Sequence, residues 1–226
     1  MKIVLISDTH SEHNSIRIPR GDILIHAGDL TASGTKTQVA AAAEWLGSLP
    51  HQHKIAIAGN HDWLFEREPH EARRLLATAG ITYLEDAEIR IEGLRIYGSP
   101  WQPDFMNWAF NTPRGNLARY WDLIPSEVDI LITHTPPYGI LDQRVPSEVR
   151  KFAPWEDEEL FAGSDHVGCE ELLVAVKRTR PRIHVFGHIH RGYGQAKNEH
   201  TTFYNAALCD ENYDPIHKPW VIELPK

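Results

Sequence analysis

Apolar residues along the chain fall mainly in short unbroken runs, and a polar cluster follows most of them. The β-branched runs predict strands over 2–6, 22–27, 54–58, 95–98, 129–133, 182–186, 201–205 and 220–223. Between them, helical spacing predicts helices over 35–48, 71–79, 115–122 and 169–179. Acidic residues near its start and Gly80 past its end bound the second of these, and Pro181 stops the last. The acids Glu156 to Glu159 read as a further helix start, where negative charge meets the positive end of the helix dipole. Strands alternating with helices predict an α/β fold. With no internal repeat and no charge-rich linker, one domain over 1–226 is the simplest organisation.

The runs end in a regular way. Ile3–Ile6 is followed by Ser7-Asp8-Thr9-His10, and Ile23–Ala27 by Gly28-Asp29. Ile55–Ala58 leads to Gly59-Asn60-His61-Asp62, Ile130–Thr133 to His134, and Ile183–Phe186 to Gly187-His188-Ile189-His190. Open α/β sheets form their sites beyond the carboxyl ends of the strands. Five strand ends carrying ligand-type side chains are therefore expected to converge on one crevice.

Composition narrows the class without naming it. The 226 residues are 42% hydrophobic and 24% charged, which excludes collagen-like and disordered chains. A net charge of −8 argues against extended nucleic acid or an anionic membrane as the main partner. Two cysteines, Cys169 and Cys209, provide no disulfide framework. The first apolar run is too short for a signal-peptide core, and no run reaches membrane-span length, so a cytoplasmic protein is expected. The outlying figure is 14 histidines, several of them in the strand-end clusters.

Asp8, His10, Asp29, Asn60, His134, His188 and His190 offer carboxylate, amide and imidazole donors with no thiolate. That set suits Mn, Fe or Zn in a catalytic site better than a structural zinc cage. Seven donors exceed the needs of one tetrahedral ion and suit two ions sharing a carboxylate. Such a pair, about 3.5–4 Å apart, serves phosphoryl displacement.

In that order and at those strand ends, the motifs resemble the signature of the calcineurin-like metallophosphoesterases. The resemblance implies a four-layer α/β/β/α sandwich of two mixed sheets flanked by helices. It implies a first metal held by Asp8, His10, Asp29 and His190, and a second by Asp29, Asn60, His134 and His188. His61 would stabilise the transition state or protonate the leaving oxygen, with Asp62 orienting it. The attacking group would be a hydroxide bridging the two ions.

Departures from the pattern narrow the subgroup. No Asp-Arg follows Gly28-Asp29 as in the protein serine/threonine phosphatases, and no tyrosine follows it as in the purple acid phosphatases. Gly98 to Pro103, Trp108 to Asn111 and His134 to Pro137 are similar to the MPPED-type metallophosphoesterases and their bacterial relatives. That subgroup implies a phosphodiesterase acting on cyclic nucleotides, 2′,3′ or 3′,5′, and manganese as the first candidate metal. Some animal members carry glycine at the position of His188, which this chain keeps. A phosphomonoesterase, a nuclease or a nucleotide-binding regulatory protein with little turnover stays open as an alternative, as does a homodimer.

Trp101, Phe105, Trp108 and Phe110 form an aromatic group readable either as a wall for a nucleobase or as packing under a long loop. Asn111, Arg114 and Arg191 are candidate contacts to phosphate or ribose. His26 and His184, inside apolar strands, read as core or supporting histidines rather than ligands.

Overall fold

The computed structural model describes residues 1–143 and 166–225; the helix start read at Glu156 to Glu159 lies outside them. In chain order the first elements are β1 (Lys2–Ile6), β2 (Ile23–Ala27), α1 (Lys36–Ser48), β3 (His53–Ile57), α2 (Trp63–Arg67), α3 (Pro69–Thr78) and β4 (Thr82–Tyr83). Then come β5 (Ala87–Ile91), β6 (Leu94–Ser99), β7 (Gln102–Pro103), β8 (Asn111–Thr112), α4 (Ala118–Trp121) and β9 (Ile130–Thr133). The last are α5 (Glu170–Thr179), β10 (Ile183–Phe186), β11 (Gly194–Lys197), β12 (Thr202–Asn205) and β13 (Trp220–Glu223).

One sheet runs β13-β1-β2-β3-β4 and the other β11-β12-β10-β9-β6-β5. In the first, β1 to β4 are parallel and β13 is antiparallel to β1. In the second, β12, β10, β9 and β6 are parallel, with β11 and β5 antiparallel at the edges. Both sheets are mixed, as expected.

Side-chain alternation decides how they stack. Ile3, Leu5, Ile23, Ile25, Ile55 and Ile57 meet Ile96, Ile130, Ile132, Ile183 and Val185 of the other sheet in a shared aliphatic core. The opposite face of the first sheet puts Val4, Ile6, Leu24 and Ala56 against Val39 and Leu46 of α1 and Leu76 of α3. The outer face of the second puts Tyr97, Leu131, Phe186 and Phe203 against Trp121 of α4 and Leu172 and Val176 of α5. The layers are helix, sheet, sheet, helix. Strands in the middle of both sheets are covered on both faces, which is why they read as continuous apolar runs.

Local chemistry sets the helix ends. Thr35 caps α1 through a reciprocal capping box with Gln38. Pro69 opens α3, where its missing N–H is no loss. The Cys169 thiol accepts from Leu172 N at the start of α5, and burial pushes that thiol up to about 12. Glu170 and Glu171 stand in its first turn, Lys177 and Arg178 in its last.

Five strands and one helix escaped the sequence pattern: β4, β5, β7, β8, β11 and α2. Each is short or lies at an edge. In β5 the charged Glu88 and Arg90 face outward, and β11 carries no apolar alternation. The helix expected over 115–122 is shortened to Ala118–Trp121.

Candidate metal centre

The carboxyl ends of β1, β2 and β3 in one sheet and of β9 and β10 in the other open onto the same crevice. To reach it the chain turns sharply where each strand stops. Asp8 (φ 53°), His10 (φ 42°), Asp29 (φ 55°) and His188 (φ 66°) all hold left-handed backbone, unusual for residues with a Cβ. At about 1–2 kcal/mol per residue such strain persists only where surrounding contacts over-determine it. Those contacts are present. Asp8 N donates to Gly28 O at 3.0 Å, and Thr9 N and His10 N donate to Asp29 O at 3.0 and 3.1 Å. His188 N donates to both carboxylate oxygens of Asp8 at 3.1 Å. Gly28 (φ +100°) has no room for a side chain, since a Cβ would lie 2.6 Å from His134 Nδ1. A Cβ on Gly187 would collide with the Asp8 carboxylate.

All seven donors expected from the sequence meet there. His190 Nε2 lies 3.3 Å from Asp8 Oδ1 and 3.1 Å from His10 Nε2, which is 3.6 Å from Asp29 Oδ2. The same Asp29 Oδ2 lies 3.3 Å from His134 Nε2, which is 2.9 Å from Asn60 Oδ1, and His188 Nδ1 is 2.9 Å from the same Asn60 oxygen. Asp29 thus stands in two groups of possible ligands, one with His10 and His61 and one with Asp8 and His134, while His190 groups with Asp8 and His10, and Asn60 and His188 adjoin His134.

The donor set fits cations. His134 Nδ1 donates to Ala27 O at 3.0 Å and His190 Nδ1 to Asp210 O at 2.7 Å, which leaves each Nε2 as the free lone pair. Those lone pairs point at carboxylate and amide oxygens that are also acceptors, so positive charge is needed between them. Protons serve in the metal-free protein. Burial alone would lower His134, but the Asp29 charge and hydrogen bond, with Asp8, push it up to about 9. His190 rises against its own burial through Asp8. Asp8 and Asp29, although buried, are held well below the usual carboxylate range by these histidines. At His10 and His188 burial outweighs the Asp29 and Asp8 charges and lowers each to about 3, so both are neutral donors.

His61 belongs to the donor group around Asp29 and His10. Its Nδ1 donates to Ala32 O at 2.8 Å, leaving Nε2 for the cavity, while its backbone N donates to Asp29 Oδ1 at 2.8 Å. The structure corrects the role expected of Asp62. Its carboxylate accepts from Leu30 N (3.1 Å), Thr31 N (3.0 Å), Thr31 Oγ1 (2.7 Å) and Gly59 N (2.9 Å). It clamps the loop after β2 to the loop after β3, and the Ala32 carbonyl, not Asp62, orients the imidazole.

A cavity of about 370 Å³ opens over the clusters, with Asp29, Asn60, His61, His188 and His190 in its floor. Trp108, Phe105, Arg114 and Arg191 line it, as the sequence suggested. Trp101, Phe110 and Asn111 do not. Trp101 stacks on Tyr120 with centroids 4.0 Å apart and donates to Asp86 Oδ2 at 2.8 Å, and Phe110 is 2% exposed in the core. Asn111 Nδ2 donates to Phe105 O and Met106 O at 3.0 Å, so it shapes the loop that carries the cavity wall. Arg114 is fixed on Gly168 O (3.0 Å) and Val167 O (2.9 Å), and Arg191 pairs with Glu211 at 2.7 Å.

Tyr213 is one wall residue the sequence pattern missed, with Asp104, Met106 and Glu211 among the others. Its ring stands edge-on to His10, His61 and His190 at 4.7, 5.8 and 5.7 Å, on left-handed backbone (φ 66°). Its one signal is the turn chemistry of Asp210-Glu211-Asn212-Tyr213-Asp214, in which the Asp210 carboxylate accepts from Asn212 N and Asp214 N. His61 completes the wall by packing against Trp108 at 4.1 Å.

The family model for calcineurin-like phosphoesterases matches residues 1–192, a span containing every strand-end motif. The chain belongs to that family. Calcineurin-like phosphoesterases are hydrolytic enzymes that use divalent metal ions, and this chain has clustered donors for them. Metallophosphoesterase domain-containing protein 1 of Homo sapiens is 45% identical over 248 residues, covering 99% of this chain and 71% of that protein. A UPF0046 protein of Caenorhabditis elegans is 38% identical over 242 residues, covering 100% of this chain and 81% of its own length. Among solved structures, the phosphopantetheinyl hydrolase of Mycobacterium tuberculosis superposes with TM-score 0.58 at 14% identity, covering 94% of this chain and 90% of that one. At that identity the likeness concerns the fold alone. No helix among the described residues is long and apolar enough to cross a membrane.

Proposed function

We propose that this calcineurin-like phosphoesterase hydrolyses a small phosphodiester, a 2′,3′- or 3′,5′-cyclic nucleotide, with two divalent ions of which manganese is the first candidate. The observation that carries this reading is the placement of Asp29 in both donor clusters. Asp8, His10, Asp29 and His190 would hold one ion, and Asp29, Asn60, His134 and His188 the other. Ions held there supply Lewis acidity, acidifying water and neutralising charge on the phosphoryl oxygens.

The chain's own residues do the rest. Asp29 keeps its carboxylate ionised far below neutrality, and the buried His10 and His188 stay unprotonated as donors. His61, its Nδ1 held by the Ala32 carbonyl, turns Nε2 toward the cavity, where it delivers a proton to the departing oxygen. Trp108 packs against that imidazole and helps fix its plane. Arg114 places positive charge in the cavity wall for an anionic substrate, whereas the charge of Arg191 is paired with Glu211 of the same wall. The cavity, at about 370 Å³, suits a nucleotide-sized ligand rather than a polymer.

The test is hydrolysis of bis(4-nitrophenyl) phosphate beside 4-nitrophenyl phosphate, with Mn²⁺ and with chelator. The proposal expects Mn²⁺-dependent turnover with a higher kcat/KM for the diester. Preference for the monoester would overturn the phosphodiesterase assignment.

A further inference from the structure

His26 on β2 and His184 on β10 are 1% and 0% exposed and touch no substrate-facing group. Each presents Nε2 to a threonine hydroxyl, Thr9 at 3.0 Å and Thr133 at 2.8 Å. Each hydroxyl also faces a main-chain carbonyl, Leu30 O at 3.2 Å for Thr9 and Thr135 O at 2.7 Å for Thr133. A hydroxyl has one hydrogen to give, and a carbonyl can only accept. The threonines therefore donate to the carbonyls, and each histidine donates its Nε2–H to a threonine oxygen. The other ring nitrogen, Nδ1, meets no protein group among the described residues in either histidine.

The two devices sit behind the two halves of the centre. Thr9 lies between Asp8 and His10, and its carbonyl partner Leu30 follows Asp29, so this hydroxyl ties the donor loop after β1 to the donor loop after β2. Thr133 precedes His134, and its bond to Thr135 O spans that ligand. A buried unpaired nitrogen is destabilising, and an apolar ring of similar shape would avoid it. Stability alone gives no reason for histidine at either position.

We infer that His26 and His184 are positioning residues, one for each half of the metal centre, each fixing a ligand loop through a threonine hydroxyl. The inference rests on the two-ion reading above. Outer partners of metal ligands typically control affinity by about 10–100-fold.

The experiment titrates the metal-stripped full chain with Mn²⁺ by calorimetry, for wild type, His26→Phe, His184→Phe, His26→Gln, Thr9→Val and the double variant His26→Phe/Thr9→Val. Urea unfolding of each metal-free protein runs alongside. Each Phe variant is expected to weaken Mn²⁺ at one of two sites by about 10–100-fold, with metal-free stability equal or higher. Gln, which retains an N–H donor, recovers part of the loss, and the double variant binds no more weakly than Thr9→Val. Unchanged Mn²⁺ affinity in the Phe variants overturns the inference. So do an affinity loss that tracks a loss of metal-free stability without recovery in Gln, and additive losses in the double variant. A wild-type chain that binds no Mn²⁺ overturns the reading of the centre itself, and this inference with it.

Discussion

In the proposed reaction His61 would deliver the proton while its neighbour in the same loop holds metal. Its neighbour Asn60 belongs to a donor cluster, while its own side chain is tied to Ala32 O and its backbone N to Asp29. His61→Ala is expected to lower diester turnover by about 10²–10⁴-fold, the usual range for removing a general acid, with Mn²⁺ stoichiometry unchanged. Loss of bound metal in parallel would move His61 into the ligand set. The donor residues of the crevice were legible because each follows an apolar run and is of a type that can hold a metal. The role of Asp62 was not, because a carboxylate next to a histidine looks like its partner in sequence. Its four accepted bonds to other loops appear only in three dimensions. The backbone strain at Asp8, His10, Asp29 and His188 had no sequence signal either, since nothing local asks those residues for left-handed φ.

Asp62 acts between elements, joining the loops that follow β2 and β3. Asp62→Ala leaves four donors without their acceptor, and at about 1–3 kcal/mol for an unsatisfied buried group, partly recovered by rehydration, the expected loss is about 3 kcal/mol in urea unfolding. A variant as stable as wild type but slow in turnover would return Asp62 to the orienting role. On β10, His184 gives the metal-free protein a pH dependence. Burial lowers its pKa to about 3, whereas the unfolded chain titrates near the ordinary 6.5. The folded pKa is the depressed one, so this contribution is complete above pH 6.5 and is lost as pH falls toward 3. Between pH 6.5 and pH 5 the loss is about 2 kcal/mol. His184→Phe escapes it, so the stability of that variant relative to wild type should rise by that amount from pH 7 to pH 5. A difference independent of pH would show that His184 binds protons in the fold as it does in the unfolded chain, contrary to the depressed pKa. The elements read correctly from the sequence are those, such as β1 and β10, whose strands are covered on both faces. Edge strands β5 and β11 escaped because pairing with β6 and β12, rather than their own composition, makes them strands.

At the scale of the whole molecule, two mixed sheets share an aliphatic core and bring the carboxyl ends of their parallel strands to one edge. The fold class was legible because that core needs the repeated Ile-rich runs. The cavity wall was only half legible: Trp108 and Phe105 reached it, Trp101 and Phe110 were taken by packing, and Tyr213 arrived from a distant turn. With a net charge of −8 and a cavity of nucleotide size, turnover of a small diester should change little between 50 and 200 mM salt, roughly the range over which a phosphate-tracking nuclease loses about 10³-fold or more in affinity. The central claim is that Asp29 joins two metal pockets, and metal stoichiometry reaches it most directly. Elemental analysis of Mn²⁺-saturated, gel-filtered protein should find two ions per chain in the wild type and no more than one in Asp29→Ala. One ion per wild-type chain at saturation, or two retained in the variant, would contradict it.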